Sequence, residues 1–183
     1  GMVSSQEIIK VIAEKLREYE AKNIVIDPVM VATSGSALMV EGAGKALVEE
    51  LFPLGTVLTP NIPEAEALSQ TKIRNRQDME EAARIISSFT GGAVLVKGGH
   101  LSESADDLLY EQGKSIWLPG ERVDNSNTHG TGCTLSSAIA CGLAGGKSLE
   151  DSVKGAKDYI TGALKAGLDL GKGSGPLNHM YAL

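Results

Sequence analysis

The sequence predicts an α/β fold: a mostly parallel sheet with covering helices, followed by an antiparallel hairpin region. Two observations carry this. Between residues 4 and 96, amphipathic helical patterns alternate three times with short strand-like runs, the arrangement expected of a mostly parallel sheet with covering helices. From Asp107 onward the pattern changes to short alternating runs around a Gln112-Gly113 turn, which marks antiparallel pairing.

The elements follow in order. Ser4 to Ala21 reads as an amphipathic helix, with Ile8, Ile9, Ile12, Ala13, Leu16 and Tyr19 on one face and Glu14, Lys15, Arg17 and Glu18 outside. Ser4 or Ser5 would cap it, with Glu7 in the first turn. Asn23 turns into the strand Ile24-Val25-Ile26, which ends at Asp27-Pro28. A second helix and strand are expected over Gly42 to Leu51 and Thr56 to Thr59, and a third pair over Gln77 to Phe89 and Ala93 to Val96. Leu108 to Tyr110 and Ser115 to Leu118 form the hairpin, with Glu121 to Val123 as a third short strand. Two helices close the chain, about Thr131 to Ala144 and about Leu149 to Leu168, the latter capped by Ser148, and Gly171 to Pro176 reads as loop.

At 183 residues the chain holds one substantial core and is too short for two comfortable domains, so residues 1–183 are read as a single domain. Hydrophobic content of 42% and charged content of 22% are ordinary for a globular protein. A net charge of -6 argues against a nucleic-acid or anionic-membrane surface, and 4% aromatic residues leave little for base stacking. A small-molecule partner fits better. Cys133 and Cys141 are eight residues apart on one expected helix, roughly 12 Å of rise, and do not bridge each other. With no signal-like start and no membrane-length apolar run, the expected compartment is a reducing cytoplasm.

The chemistry concentrates in Asn125-Ser126-Asn127-Thr128-His129-Gly130-Thr131-Gly132-Cys133-Thr134, which runs directly into a helix of small residues. Gly130 and Gly132 permit a tight turn and close approach to a ligand, and a helix opening at Thr131 or Gly132 leaves its first N–H groups free for an anion. The plainer alternative is a glycine-containing loop with Thr131 or Thr134 capping an ordinary helix. In an open parallel sheet, ligands lie beyond the carboxyl ends of the strands. That rule selects Asp27-Pro28-Val29-Met30, Thr59-Pro60-Asn61-Ile62-Pro63-Glu64 and Lys97-Gly98-Gly99-His100 as companions. Taken alone, each has an ordinary explanation. Asn61 and Glu64 make a near-ideal capped helix start, Asp27 begins an Asp-Pro turn, and Lys97 is a solvated strand-end lysine. Asp106 and Asp107 read as hairpin-edge charges, and Met30 and Met39 as core or pocket wall. His100, His129 and His179 have no metal-ligand spacing, and His129 is expected to shape the loop.

Taken together, N-T-H-G-T-G-C-T, T-P-N-x-x-E, D-P-V-M and V-K-G-G-H resemble the hydroxymethylpyrimidine/phosphomethylpyrimidine kinases of thiamine synthesis, in the ribokinase superfamily. The resemblance runs along the whole chain, from G-M-V-S-S-x-E-I-I to G-K-G-S-G-P-L-N-H. It implies a ribokinase-like three-layer fold with helices on both faces of the sheet, and ATP and Mg2+ as cofactors. It also implies phosphorylation of hydroxymethylpyrimidine and then of its monophosphate. By the same resemblance Gly130, Thr131, Gly132 and Cys133 form the catalytic anion hole, with Cys133 beside the accepting hydroxyl as base or polar guide. Asn61, Glu64, Lys97 and Thr128 serve ATP, Asp27 and Glu64 organise the metal, and Val29 with Cys133 touches the pyrimidine. Most sugar kinases of the superfamily carry Asp where this chain has Cys133, which points to the pyrimidine and pyridoxal branch.

Departures from the family pattern are small. Ser174 stands where these tails often have His, and Gln70 where Gly is common. Gly1-Met2 resembles the family's internal K-I-G-M, so the sequence is expected to represent the C-terminal part of the domain, without the N-terminal strands and the loop that recognises the pyrimidine. A fragment of a larger kinase, a chain complemented by another polypeptide and an impaired enzyme all stay open. The exposed sheet edge makes a homodimer a candidate assembly. Pyridoxal kinase of the same branch is the alternative enzyme, and a non-catalytic nucleotide-binding remnant the alternative of another class.

Overall fold

The structure, a computed structural model, describes residues 3–29, 42–99, 105–125, 128–168, 170, 172–173 and 175–182. Met30, Met39, His100, Ser126, Asn127 and Ser174 lie outside them. Strands β1 (Val25–Ile26), β2 (Val57–Leu58), β3 (Ala93–Val96), β4 (Asp107–Glu111) and β5 (Lys114–Leu118) form one sheet in that order. The first three are parallel, and β4 and β5 are antiparallel to their neighbours. The β4–β5 turn has Gln112 and Gly113 at φ 51° and 80°, the left-handed pair that suits a two-residue hairpin loop.

Side chains alternate strictly across the sheet and so divide the core in two. Ile26, Leu58, Val94, Val96, Leu108, Tyr110 and Trp117 face the layer of α1 (Gln6–Glu18), α2 (Ala43–Ala46), α3 (Ile62–Ser69) and α4 (Arg76–Ser87). Val25, Val57, Ala93, Leu95, Leu109, Ile116 and Leu118 face α5 (Thr131–Ala144) and α6 (Leu149–Lys165). Three layers result, as expected. Among the described residues no helix is long and apolar enough to cross a membrane.

Three expectations need correction. Ile8 and Tyr19 do not belong to the buried face of α1: they are 49% and 74% exposed, whereas Ile9 and Ala13 are fully buried. At 100° per residue both lie about 80–100° round the helix from the Ile9–Ala13–Leu16 stripe, and α1 packs on the neighbouring helices along that narrow stripe. The helix expected over Gly42 to Leu51 is regular only at α2; it widens to a π-helical turn at Leu47–Leu51 and tightens to a 3-10 turn at Phe52–Leu54, where Pro53 removes a backbone donor. Glu121 to Val123 is not a strand. That segment is held to the end of α6 by side-chain bonds, Lys165 Nζ to Glu121 Oε2 at 2.6 Å and Asn125 Nδ2 to the Leu164 carbonyl at 2.7 Å.

Capping sets the helix starts. Ser5, Asn75 and Ser148 each accept a first-turn amide, and Asn61 with Glu64 completes a reciprocal capping box. Gln70 ends α3 in the left-handed conformation, φ 58° and ψ 29°, which accounts for glycine at this position in the resembling kinases. That conformation costs an L-residue roughly 1–2 kcal/mol, and glycine's greater chain entropy offsets part of the gain. Gln70→Gly is therefore expected to raise unfolding stability by about 1 kcal/mol and Tm by about 2–4 °C, read by thermal melting. An unchanged or lower Tm would show that Gln70 makes a compensating contact.

Candidate active site

The carboxyl ends of β1, β2 and β3 deliver three polar side chains to one point. Asp27 follows β1, and a tight turn through Pro28, in which the Val29 N–H donates to the Asp27 carbonyl at 2.9 Å, fixes its backbone. Thr59 follows β2 and its hydroxyl donates to Asp27 Oδ1 at 3.0 Å. Lys97 follows β3 and its Nζ donates to the same oxygen at 2.8 Å. The pair is largely withdrawn from solvent, with side-chain exposures of 17% for Lys97 and 13% for Asp27. Lys97 is also tied to the next loop, since its N–H donates to the Pro60 carbonyl at 2.9 Å and it bridges Asn61 in parallel register.

The start of α5 closes the site from the opposite layer. A Cβ on Gly132 would lie 3.2 Å from Asp27 Oδ2 and 3.6 Å from Lys97 Nζ, so the first turn of α5 stands directly against the ion pair. The helix is capped by Gly130 at φ 86°, a left-handed turn that brings the chain in without a side chain. Neither Thr131 nor Thr134 caps it: Thr134 Oγ1 instead donates back to the Gly130 carbonyl at 2.8 Å. The Thr131 N–H makes a long bond of 3.4 Å to the Thr128 carbonyl. Among the described residues, the amides of Gly132 and Cys133 have no acceptor. Two N–H groups and the positive end of a 14-residue helix therefore face the place where Lys97 points.

The remaining expected residues distribute around this centre. Asn61 and Glu64 cap α3, the Asn61 N–H donating to Glu64 Oε2 at 2.8 Å and the Glu64 N–H to Asn61 Oδ1 at 2.9 Å. Glu64 is 5% exposed. Thr128 and Cys133 are exposed, and Cys133 opens onto a groove of about 710 Å³ between α5 and α6, bordered by Ser137, Cys141, Tyr159 and His179. Asp27, Asn61, Glu64 and Lys97 do not line that groove; Cys133 is where it meets the start of α5. His129 pairs with Pro176 of the tail, which fits a loop-shaping role, and His179 is bonded by the Tyr159 hydroxyl. No group of three or more His, Cys, Asp or Glu side chains among the described residues forms a metal cluster.

Asp106 and Asp107 are more than edge charges. Asp107 is buried, and its Oδ1 accepts the Gly98 N–H at 2.7 Å while Oδ2 pairs with Lys157 of α6. Asp106 Oδ1 accepts the Gly120 N–H at 3.0 Å and Oδ2 pairs with Arg76, whose guanidinium lies 4.6 Å over the Trp117 ring. Sequence pattern gave little sign of this, because the partner of Asp107 is nine residues away at a strand end and its cation fifty residues away on another layer. The signal available was a carboxylate one step before Leu108-Leu109 at the start of a strand whose burial the pattern already predicted.

The chain is similar to known proteins along its whole length. The phosphomethylpyrimidine kinase family profile matches residues 1–178. A hydroxymethylpyrimidine/phosphomethylpyrimidine kinase of Streptomyces coelicolor is 44% identical over 183 residues, covering all of this chain and 68% of the relative. The crystal structure of phosphomethylpyrimidine kinase from Clostridium difficile superposes with a TM-score of 0.77 at 42% identity, over 88% of this chain and 65% of that one. Pyridoxal kinase from Staphylococcus aureus in complex with AMP-PCP superposes with a TM-score of 0.90 at 34% identity, over all of this chain and 67% of that one. The chain thus spans about two thirds of the length of these proteins. With the motifs at the strand ends, the uncapped start of α5 and a profile match over almost its full length, the chain belongs to the phosphomethylpyrimidine kinase family.

Proposed function

We propose that this chain supplies the ATP-binding and phosphoryl-transfer part of a kinase that phosphorylates hydroxymethylpyrimidine and then its monophosphate in thiamine diphosphate synthesis. One observation carries the reading: Lys97 Nζ lies against Gly132 in the first turn of α5, where the amides of Gly132 and Cys133 have no acceptor among the described residues. Phosphoryl transfer asks a protein mainly to neutralise charge on the moving group and to hold the reacting oxygens in line. A lysine and a helix start aimed at one place answer the first requirement. Gly130 and Thr131 shape the turn that aims those amides, and Thr128 and Asn61 flank it on the nucleotide side.

Asp27 and Glu64 offer oxygen donors suited to Mg2+, which binds through one or two carboxylates together with substrate phosphates and so requires no three-residue cluster. Bound there, the metal would add positive charge on the nucleotide phosphates. Asp27 now shares its Oδ1 between Lys97 and Thr59, while Oδ2 faces α5. A phosphate that takes Lys97 would release Asp27 for the metal. Cys133, exposed at the helix start, guides the accepting hydroxyl or removes its proton, and Val29, whose backbone is tied to Asp27 by the Pro28 turn, is the residue assigned to the pyrimidine. The cytoplasm is the compartment that fits two free cysteines.

The S. aureus superposition favours pyridoxal as a second candidate substrate. A panel with ATP and each vitamin precursor decides between them. Turnover of hydroxymethylpyrimidine with none of pyridoxal is expected; the opposite result reverses the assignment, and ATP binding without product on either makes the chain a binding module.

Two substitutions test the roles. Cys133→Ala is expected to lower kcat by roughly 100-fold or more with little change in nucleotide affinity, as for loss of a general base. Equal losses in both would remove the base assignment. Glu64→Gln keeps the capping box, because a glutamine oxygen still accepts the Asn61 N–H, and so separates the cap from the metal role. An unchanged Tm with a higher magnesium requirement is expected; an unchanged magnesium titration rejects the metal role.

A further inference from the structure

Asp107 stands outside the cluster around Asp27, yet its carboxylate reaches the backbone one residue beyond Lys97. The β3–β4 ladder ends with Val96 opposite Leu108, so the Gly98 amide has left the sheet. Asp107 Oδ1 takes the place of a strand carbonyl for that amide, at 2.7 Å. A Cβ on residue 98 would lie 1.8 Å from the Asp106 carbonyl oxygen, so the chain already runs hard against the start of β4. On its other side Lys97 is held through its own N–H by the Pro60 carbonyl. The backbone that carries the lysine is therefore clamped between the loop after β2 and the start of β4.

The charge on Asp107 needs its own account, since a neutral acceptor would serve Gly98. Asp107 is 7% exposed, and its other oxygen pairs with Lys157 from the middle of α6. A carboxylate so placed is retained only when paired and hydrogen-bonded. Its charge joins α6, across the layer, to the loop that ends β3.

We propose that Asp107, held by Lys157, is a positioning residue for Lys97: it sets the backbone direction from which the lysine reaches the phosphate end of the site. This rests on the phosphate role proposed above for Lys97.

The test is calorimetric titration of AMP-PCP into the wild-type chain, Lys97→Met, Asp107→Asn, Asp107→Ala and the Lys97→Met/Asp107→Ala double variant, each with a thermal melt. Lys97→Met is expected to weaken binding roughly tenfold or more, as for a lost charge-assisted hydrogen bond. Asp107→Ala should approach that loss, and Asp107→Asn, which keeps an acceptor for Gly98, should lose about threefold. In the Lys97→Met background, Asp107→Ala should add nothing, because its effect passes through the lysine. The same factor in both backgrounds, or wild-type affinity in both Asp107 variants, overturns the positioning role while leaving Lys97 in place. Wild-type affinity in Lys97→Met removes the lysine's phosphate role and the positioning role with it. Where Asp107→Ala fails to fold, Asp107→Asn and a Lys97→Met/Asp107→Asn double variant carry the same comparison.

Discussion

The Asp27–Lys97 ion pair is the contact on which the site's assembly depends. It joins the ends of two strands separated by β2, receives the Thr59 hydroxyl from the strand between them, and lies under the first turn of α5. A pair withdrawn from water gains little net stability, because its attraction is offset by the loss of hydration. What it supplies is geometry. With the Asp27 carboxylate held by Lys97 and Thr59 rather than drawn onto the helix start, the amides of Gly132 and Cys133 have no acceptor among the described residues. The same carboxylate screens a cation that would otherwise face the positive end of α5 unpaired.

The surrounding structure makes that arrangement sustainable. Parallel strands end at one edge, and that edge is where backbone groups leave the ladder and need other partners. Each loop finds them differently. The turn after β1 closes on itself through Val29, the loop after β2 becomes a capped helix, and the loop after β3 borrows the Pro60 carbonyl and the Asp107 carboxylate. Among the described residues, α5 alone of the longer helices has no side-chain cap, and it is the one that faces the ion pair.

Features set by local chemistry were legible in the sequence. Ser5, Asn61 with Glu64, and Ser148 act where their spacing placed them, and the apolar runs lie in the sheet with the parallel and antiparallel pairings expected. Features set by tertiary packing were not. Whether Ile8 is buried depends on how wide a partner α1 meets, and the periodicity of α1 alone does not carry that information. Glu121 to Val123 reads as a short strand from its neighbours in sequence, but it does not pair with β5; Glu121 meets Lys165 at the end of α6 instead. Asp107 was misread for the same reason: a carboxylate before a strand looks like an edge charge until the third layer brings Lys157 against it. The motifs marked the loops that meet at the site, while the contact between Asp27 and Lys97 needed the sheet to be assembled.

On the metal role proposed for it, Glu64 would satisfy both readings of its motif. Its Oε2 holds the Asn61 amide, and that bond orients the side chain at the start of α3, next in register to Lys97 through Asn61. A carboxylate whose one oxygen is committed to a helix cap has few rotamers left to it, so the side chain is held in a fixed direction. A metal donor benefits from that restriction, because Mg2+ demands near-ideal geometry and tolerates little ligand motion. Capping and metal binding are thus not alternatives at this position: the cap is the means by which the fold would aim the carboxylate, and the two roles differ only in what the charge, as opposed to the acceptor, contributes.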